Sequence, residues 1–365
     1  MSLYIMIMAG GKGERLWPLS NPGRPKQLIG FDGRGSLVRQ TLERLHGFAP
    51  FEKIWVMTGI EIANQVAIGL PELPGKNIIA EPFGRNTAPC IAFAASLVAR
   101  QDKDGIMAVF PSDHMIADTG AFRRGLDVAI GFLEKNPHHL LTLGIVPSHP
   151  ETGYGYIEPG EIVWHDPGDH SGLKVQRVQR FIEKPDIASA KTYVDKGCLW
   201  NAGMFVWRVD AILKAFERDM PVMHKTLMDA WQRYSDPNEV LEYFYSHTKA
   251  ISVDYAIMEK ADNAVVIPVD IGWNDIGSWD ALGKVLEADS NNNAFNGDVV
   301  FEDSGNNVVW AGGKRVVLLG MEDTVVVEGD DAILVCPRSR AQEVSGIAKK
   351  MNAAETKGVG RFKIP

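Results

Sequence analysis

The sequence predicts an α/β protein: a mixed, mainly parallel sheet flanked by helices, followed by a small all-β unit. Three observations lead there. Apolar runs of strand length alternate with amphipathic stretches of helical length over residues 3–146, and parallel strands joined by helical crossovers are covered on both faces. These runs break into turns carrying Gly, Pro and acidic residues, at the carboxyl ends where such sheets hold ligands. Beyond Ser290 the alternation stops. Short β-branched runs around Val299, Val308, Val316, Val325 and Ile333 are separated there by Gly, Asn and Asp, which indicates a roll or a short β-helix.

In order along the chain, residues 3–9 form an apolar strand that ends in Gly10, Gly11 and Gly13. Residues 36–45 place Leu37, Val38, Thr41, Leu42 and Leu45 on one helical face, with Ser36 as the N-cap. Residues 53–58 and 77–80 read as strands, with a helix over 60–69. Residues 87–100 are Ala-rich and helical, and Pro89 is tolerated in the first turn. A strand over 106–110, a helix over 121–134 and a strand over 140–146 complete the alternation. From Gly153 the pattern is mixed: strands over 153–157, 175–182, 200–207 and 265–269, a short helix over 187–196, a helical stretch over 211–247 and a helix ending near Leu286. The aromatics of 211–247 fall at helical spacing and read as core. Ser290-Asn-Asn-Asn-Ala294 reads as a linker, dividing the chain into 1–288 and 289–365. Residues 341–354 read as a closing helix, and no strict hexapeptide repeat sets the winding of the β unit.

With 365 residues the chain can build a large core and a second module. It is 45% hydrophobic and 23% charged, the composition of a soluble globular protein. The net charge of −8 argues against nucleic acid as a partner, so an anionic substrate must be held by local cations. The three cysteines, Cys90, Cys198 and Cys336, have no paired spacing, which fits a reducing compartment. No run reaches membrane-spanning length and no secretory leader is evident, so a cytoplasmic protein with no membrane partner is expected.

The chemistry concentrates in the first turn. Glycines let backbone N–H groups approach phosphate oxygens, and Arg15 and Lys26 follow to neutralise charge. The turn is neither a Walker loop, lacking the Ser or Thr after its lysine, nor a dinucleotide fingerprint, lacking the third glycine. Lys12 invites the same reading but fits the pattern less tightly. Asp113, in Pro-Ser-Asp-His, and Asp275, in Trp-Asn-Asp-Ile-Gly-Ser-Trp, each follow a strand. Either reads as a cap or turn residue, and two carboxylates from separate strand ends would also suit the oxygen coordination that Mg²⁺ prefers.

The run Ala9-Gly-Gly-x-Gly-x-Arg-Leu-x-Pro-Leu-Ser20, followed by Pro25-Lys26-Gln27, resembles the opening signature of the sugar-phosphate nucleotidyltransferases. Trp17 and the Pro-Lys-Gln ending look most like the mannose-1-phosphate guanylyltransferases. Further motifs occur in the order of that family: Glu81-Pro-Phe-Gly-Arg-Asn-Thr-Ala-Pro89, Gly153-Tyr-Gly155, Glu183-Lys-Pro185, Asn201-Ala-Gly203 and Ser252-Val-Asp-Tyr-Ala-Ile-Met-Glu259. The loop around Arg24 carries an extra basic residue relative to the pattern.

The resemblance implies a glycosyltransferase-A-like nucleotidyltransferase core, Mg²⁺ as cofactor, and transfer of GMP from GTP to α-D-mannose 1-phosphate. It places Arg15 and Lys26 along the triphosphate and Asp113 and Asp275 on the metal. Ala9, Gly10, Gly11, Gly13, Glu81, Asn86 and Thr87 become nucleotide-binding residues. A carboxylate such as Glu81 can accept from both guanine N1–H and the exocyclic amine, while Asn86 and Thr87 either bond base or ribose or cap the next helix. Tyr154, Gly155, Glu183, Lys184 and Asn201 fall to the sugar phosphate; Asp254 either shapes that pocket or caps a helix. The C-terminal stretch resembles a β-helix module that supports homodimer contacts. An isomerase barrel, carried by bifunctional relatives, is not expected in a chain ending at Pro365.

Overall fold

The computed structural model describes residues 1–11, 13–165 and 172–355; Lys12 and the end of the expected 289–365 unit lie outside them. The chain divides into two compact units that do not follow chain order. One comprises Met1–Gly10, Thr41–Ser112 and Ile116–Trp273; the other comprises Gly11–Gln40, Asp113–Met115 and Asn274–Pro365.

The first unit is built on a nine-stranded sheet. Its order is Ile78–Glu81, Ile54–Gly59, Leu3–Ala9, Ile106–Pro111, Leu199–Arg208, Leu140–Ile145, Ala264–Val269, Lys174–Ile182 and Gly155–His165. The first four strands are parallel, as expected where helical crossovers join them. Leu199–Arg208 runs antiparallel to both neighbours, and Leu140–Ile145 pairs in parallel with Ala264–Val269. The sheet is therefore mixed, with its parallel half formed by the N-terminal strands.

Helix Thr87–Gln101 is buried along nearly its whole apolar length, which its Ala-rich sequence permits because small side chains let neighbours close in. Phe93 stacks on Trp231 with ring centroids 6.2 Å apart, and the Trp231 Nε1–H donates to Ser96 Oγ at 2.9 Å. The helical stretch expected over 211–247 is three helices, Val209–Asp219, Pro221–Arg233 and Pro237–His247. Pro221 and Pro237 each open a helix, because a first-turn residue needs no backbone N–H.

The second unit has its own core, shared by Leu16, Phe31, Leu37, Trp279, Val308, Val325 and Val344. Its C-terminal strands wind as parallel coils: Ala294 pairs with Val308 and Val308 with Val325, while Val299 pairs with Val316. A buried polar ladder marks the same winding. Asn307 Nδ2 donates to Asn293 Oδ1 at 2.9 Å across 14 residues, and Thr324 N–H donates to Asn307 Oδ1 at 3.0 Å across 17 residues. The unequal steps explain why no strict repeat is visible in the sequence. Thr324–Glu328 then turns back antiparallel against Ile333–Pro337, ending the coil. A 3-10 turn, Arg338–Glu343, leads into helix Val344–Glu355.

Candidate active site

The glycine turn is shaped by contact with Lys26. Gly13 has φ +61°, and a Cβ there would stand 2.6 Å from Lys26 Cβ and 3.0 Å from Lys26 N. Only glycine tolerates both the backbone angle and the approach. The Gly13 carbonyl accepts from Ser20 Oγ at 2.5 Å and from the Leu16 N–H at 2.9 Å, which closes the loop on itself.

Lys26 is buried, its side chain only 8% exposed, and its Nζ lies 3.0 Å from Asp113 Oδ2. The same Nζ donates to the backbone carbonyl of Asp275. Burial alone would raise the Asp113 carboxyl; the Lys26 ammonium foremost, with His114 and hydrogen bonds, outweighs it and holds Asp113 below the usual carboxylate range. Lys26 is thus both a fixed positive charge and the group that keeps Asp113 ionised.

Asp275 sits in a strained turn. Ile276, fully buried and β-branched, has φ +43°, a conformation costing on the order of 1–3 kcal/mol. Two bonds hold it: Ile276 N–H to Asn274 Oδ1 at 2.7 Å, and Gly277 N–H to Asp275 Oδ1 at 2.9 Å. A cavity of about 460 Å³ brings Gly13, Arg15, Lys26, Asp113 and Asp275 together. Arg15 is exposed and makes no ion pair among the described residues. Glu14, Ile276, Ser345 and Lys349 also line this cavity. The sequence reading did not single these out; only the motif around Asp275 signalled Ile276.

A separate cluster lies in the first unit around Glu81, the last residue of its strand. Glu81 Oε1 accepts from the Tyr245 hydroxyl at 2.6 Å. Burial raises the Glu81 carboxyl, and the Tyr245 bond offsets part of that. Arg85 donates from Nε to the Tyr245 carbonyl at 3.1 Å and lies over the Phe83 ring. Asn86 caps helix Thr87–Gln101, its Oδ1 accepting from the Thr87 N–H at 2.8 Å. Its backbone, φ 65° and ψ −171°, lies in a region nearly restricted to glycine. Thr87 Oγ1 accepts from the Val253 N–H at 2.9 Å. The capping reading of Asn86 therefore has a bond behind it, and Thr87 ties the loop to residue 253.

The short helix Val253–Ala256 links this cluster to the third group. Its N-cap is Ser252, and Asp254 Oδ1 accepts from Asn201 Nδ2 at 2.7 Å. Asp254 is thus a partner of Asn201 and not a cap. Asn201 pairs across strands with Gly155, and Glu183 Oε2 lies 2.7 Å from where a Gly155 Cβ would stand, so the Glu183 carboxylate lies against this strand. Burial raises the Asp254 carboxyl, the Asn201 bond opposes this, and nearby Glu183 adds to the rise. Lys184, at φ +42°, bends back to pair with Glu183 at 2.9 Å. Tyr154 packs edge-on against Trp200 and Trp273, each with centroids 5.1 Å away. The three cysteines are free thiols, and among the described residues no helix is long and apolar enough to cross a membrane.

Residues 4–292 match the family described as nucleotidyl transferase, and residues 297–351 match the MannoseP isomerase/GMP-like beta-helix domain. The chain is therefore a nucleotidyl transferase carrying a β-helix-like module. It is 39% identical over 355 residues to the xanthan biosynthesis protein XanB of Xanthomonas campestris pv. campestris strain B100, covering 96% of this chain and 73% of that protein. It is 37% identical over 363 residues to the mannose-1-phosphate guanylyltransferase of Escherichia coli K12, covering 96% of this chain and 74% of that one. A crystal structure from Thermus thermophilus, described as a mannose-1-phosphate geranyltransferase, superposes with a TM-score of 0.83 at 33% identity, covering 96% and 99% of the two chains. The chain belongs to the mannose-1-phosphate guanylyltransferase family, and it is an enzyme of that nucleotidyltransferase class.

Proposed function

We propose that this protein transfers GMP from GTP to α-D-mannose 1-phosphate, forming GDP-mannose and pyrophosphate. The observation that carries the reading is Lys26, a buried ammonium held by the Asp113 carboxylate and the Asp275 carbonyl in a cavity that Arg15 and Gly13 also line. A phosphate oxygen of the sugar phosphate attacks the α-phosphorus, and the bond to the oxygen bridging the α- and β-phosphates breaks with its electron pair leaving on pyrophosphate. The protein's task is alignment and charge stabilisation. Arg15 grips phosphate oxygens in its planar fork, and Lys26 acts as a fixed point charge on the leaving group. Backbone N–H groups of the glycine turn complete the cradle.

The donor set fits Mg²⁺. Asp113 and Asp275 face one cavity, and among the described residues no group of three or more acidic, His or Cys side chains forms a closed metal cage. Two carboxylates, with substrate phosphates and water filling the other positions, are what Mg²⁺ takes in such sites. When bound, it neutralises charge on the phosphates and fixes their orientation.

Glu81, oriented by Tyr245, reads the guanine N1–H and exocyclic amine. Asn201 and Glu183 bond the sugar hydroxyls, and Lys184 exchanges Glu183 for the sugar phosphate. Asp254 shapes this end through Asn201. A cytoplasmic homodimer, with the C-terminal strands supporting contact between copies, is the setting proposed for this activity.

The test is a substrate matrix of nucleoside triphosphates against hexose 1-phosphates, read by pyrophosphate release. GTP with mannose 1-phosphate should give the highest kcat/KM. Preference for UTP or dTTP would reject the assignment in favour of another hexose-1-phosphate nucleotidyltransferase. Binding of GDP-mannose with no turnover would mark a regulatory protein instead.

A further inference from the structure

We propose that Lys349 is an additional phosphate-binding cation of the cavity, held by Glu14 until a polyphosphate takes the glutamate's place. The inference rests on the reading of this cavity as the triphosphate site. Lys349 lies on helix Val344–Glu355, in the segment matched by the β-helix family and outside every motif of the transferase signature.

The helix register puts it there. Val344 and Ala348 are buried, at 3% and 1% exposure, and Val344 shares a core with Leu16 and Trp279. Residues four apart lie on one stripe of a helix. Anchoring the 344/348 stripe therefore fixes the adjacent stripe, Ser345 and Lys349, and both line the cavity wall. Leu16 stands in the same core two positions after Glu14, so helix and glycine turn are held to one scaffold.

The charges around the cavity are unequal in freedom. Lys26 is buried and committed to Asp113 and the Asp275 carbonyl. Lys349 is 67% exposed, and its Nζ lies 3.6 Å from Glu14 Oε2. Glu14 is 22% exposed, but the ammonium end of the pair stands largely in water; at that separation the contact holds weakly and exchanges readily, and a lysine on its flexible four-carbon stem is suited to follow a moving anion. Glu14 offsets Lys349 while the cavity holds no anion. A triphosphate or pyrophosphate offers the ammonium several strongly charged oxygens in place of one carboxylate, and Glu14 turns to solvent.

The full chain with Lys349→Met, Lys349→Arg or Glu14→Gln is titrated with inorganic pyrophosphate and with GTP, each with Mg²⁺, by calorimetry. Circular dichroism confirms that each variant is folded. Lys349→Met should weaken both ligands about tenfold, the loss of one charge-assisted bond, while the KM for mannose 1-phosphate stays unchanged. Lys349→Arg should restore most of the affinity. Glu14→Gln, which frees the lysine, should bind pyrophosphate at least as tightly as the wild type. Undiminished affinity in folded Lys349→Met, or weaker binding in Glu14→Gln, overturns the proposal. Wild-type protein that binds neither ligand would instead overturn the reading of the cavity itself.

Discussion

Tyr245→Phe tests the proposed reading of guanine by Glu81. The substitution keeps the ring, which lies edge-on to Phe83 with centroids 6.3 Å apart, and deletes one hydroxyl 2.6 Å from Glu81 Oε1. A hydrogen bond to a charged group contributes about 1.5–3 kcal/mol net. If about half of that is expressed in holding Glu81 against guanine, kcat/KM for GTP falls three- to tenfold, roughly 0.7–1.4 kcal/mol. ITP lacks the exocyclic amine and makes one bond fewer to the carboxylate, so its efficiency falls less and the GTP:ITP ratio narrows. The pH profile supplies a second readout. Burial raises the Glu81 carboxyl and Tyr245 partly counters it. Only the ionised carboxylate accepts both guanine donors, so GTP efficiency drops as pH falls through the raised value, and in Tyr245→Phe the drop begins at higher pH. Because the folded-state value is raised, Glu81's contribution to stability is full below its unfolded pKa and is lost as pH rises through the folded one. The variant should therefore be more strongly destabilised at neutral than at acidic pH. Steady-state kinetics with both nucleotides across pH, beside denaturant melts, measure all of this. An unchanged GTP:ITP ratio together with an unshifted profile would refute the reasoning.

Other perturbations follow from the same geometry. Asp275→Asn keeps an acceptor for the Gly277 N–H and removes the charge, so turnover should fall by about 10²–10³ or more with little change in melting; wild-type turnover at saturating Mg²⁺ would contradict the assignment. Gly13→Ala places a Cβ 2.6 Å from Lys26 at φ +61°; a loss of about 1–3 kcal/mol in stability is expected, accompanied by a raised KM for GTP, both read on purified protein. Asn307→Ala breaks the buried ladder: it orphans the Thr324 N–H and leaves Asn293 Oδ1 with only the backbone N–H of residue 307 as donor. The orphaned group costs about 1–3 kcal/mol, so hydrogen exchange should rise first in the strands around residues 294–327, and uniform exchange would count against the ladder's role.

The strands of the parallel half were legible because each is a compact apolar run bounded by turn residues, and Ile54–Gly59, Ile78–Glu81 and Ile106–Pro111 fall close to where the pattern puts them. Gly13, Arg15, Lys26, Asp113 and Asp275 were nominated by motif, and their shared cavity is a geometric fact beyond the motif. The winding of the C-terminal coils was not legible, because its two steps along the polar ladder are unequal, 14 residues and then 17. Residues 211–247 read as a single helical stretch because apolar spacing continues across Met220–Pro221 and Asp236–Pro237, where only the prolines announce new helices. Tyr245 and Lys349 carried no local signal. Each is an ordinary helical residue whose importance comes from a partner, Glu81 or Glu14, distant in sequence.

The second unit takes residues 11–40 from the early part of the chain and residues from 274 onward from its later part. Translation delivers the glycine turn first, but Val308, Val325 and Val344, which share its core, emerge much later. The turn must wait on the ribosome without its packing partners, and the cavity sets only once the coils and the helix after them have been made. A prematurely terminated product that still contains every signature motif would lack the scaffold that holds them, which couples catalytic competence to synthesis of the C-terminal coils.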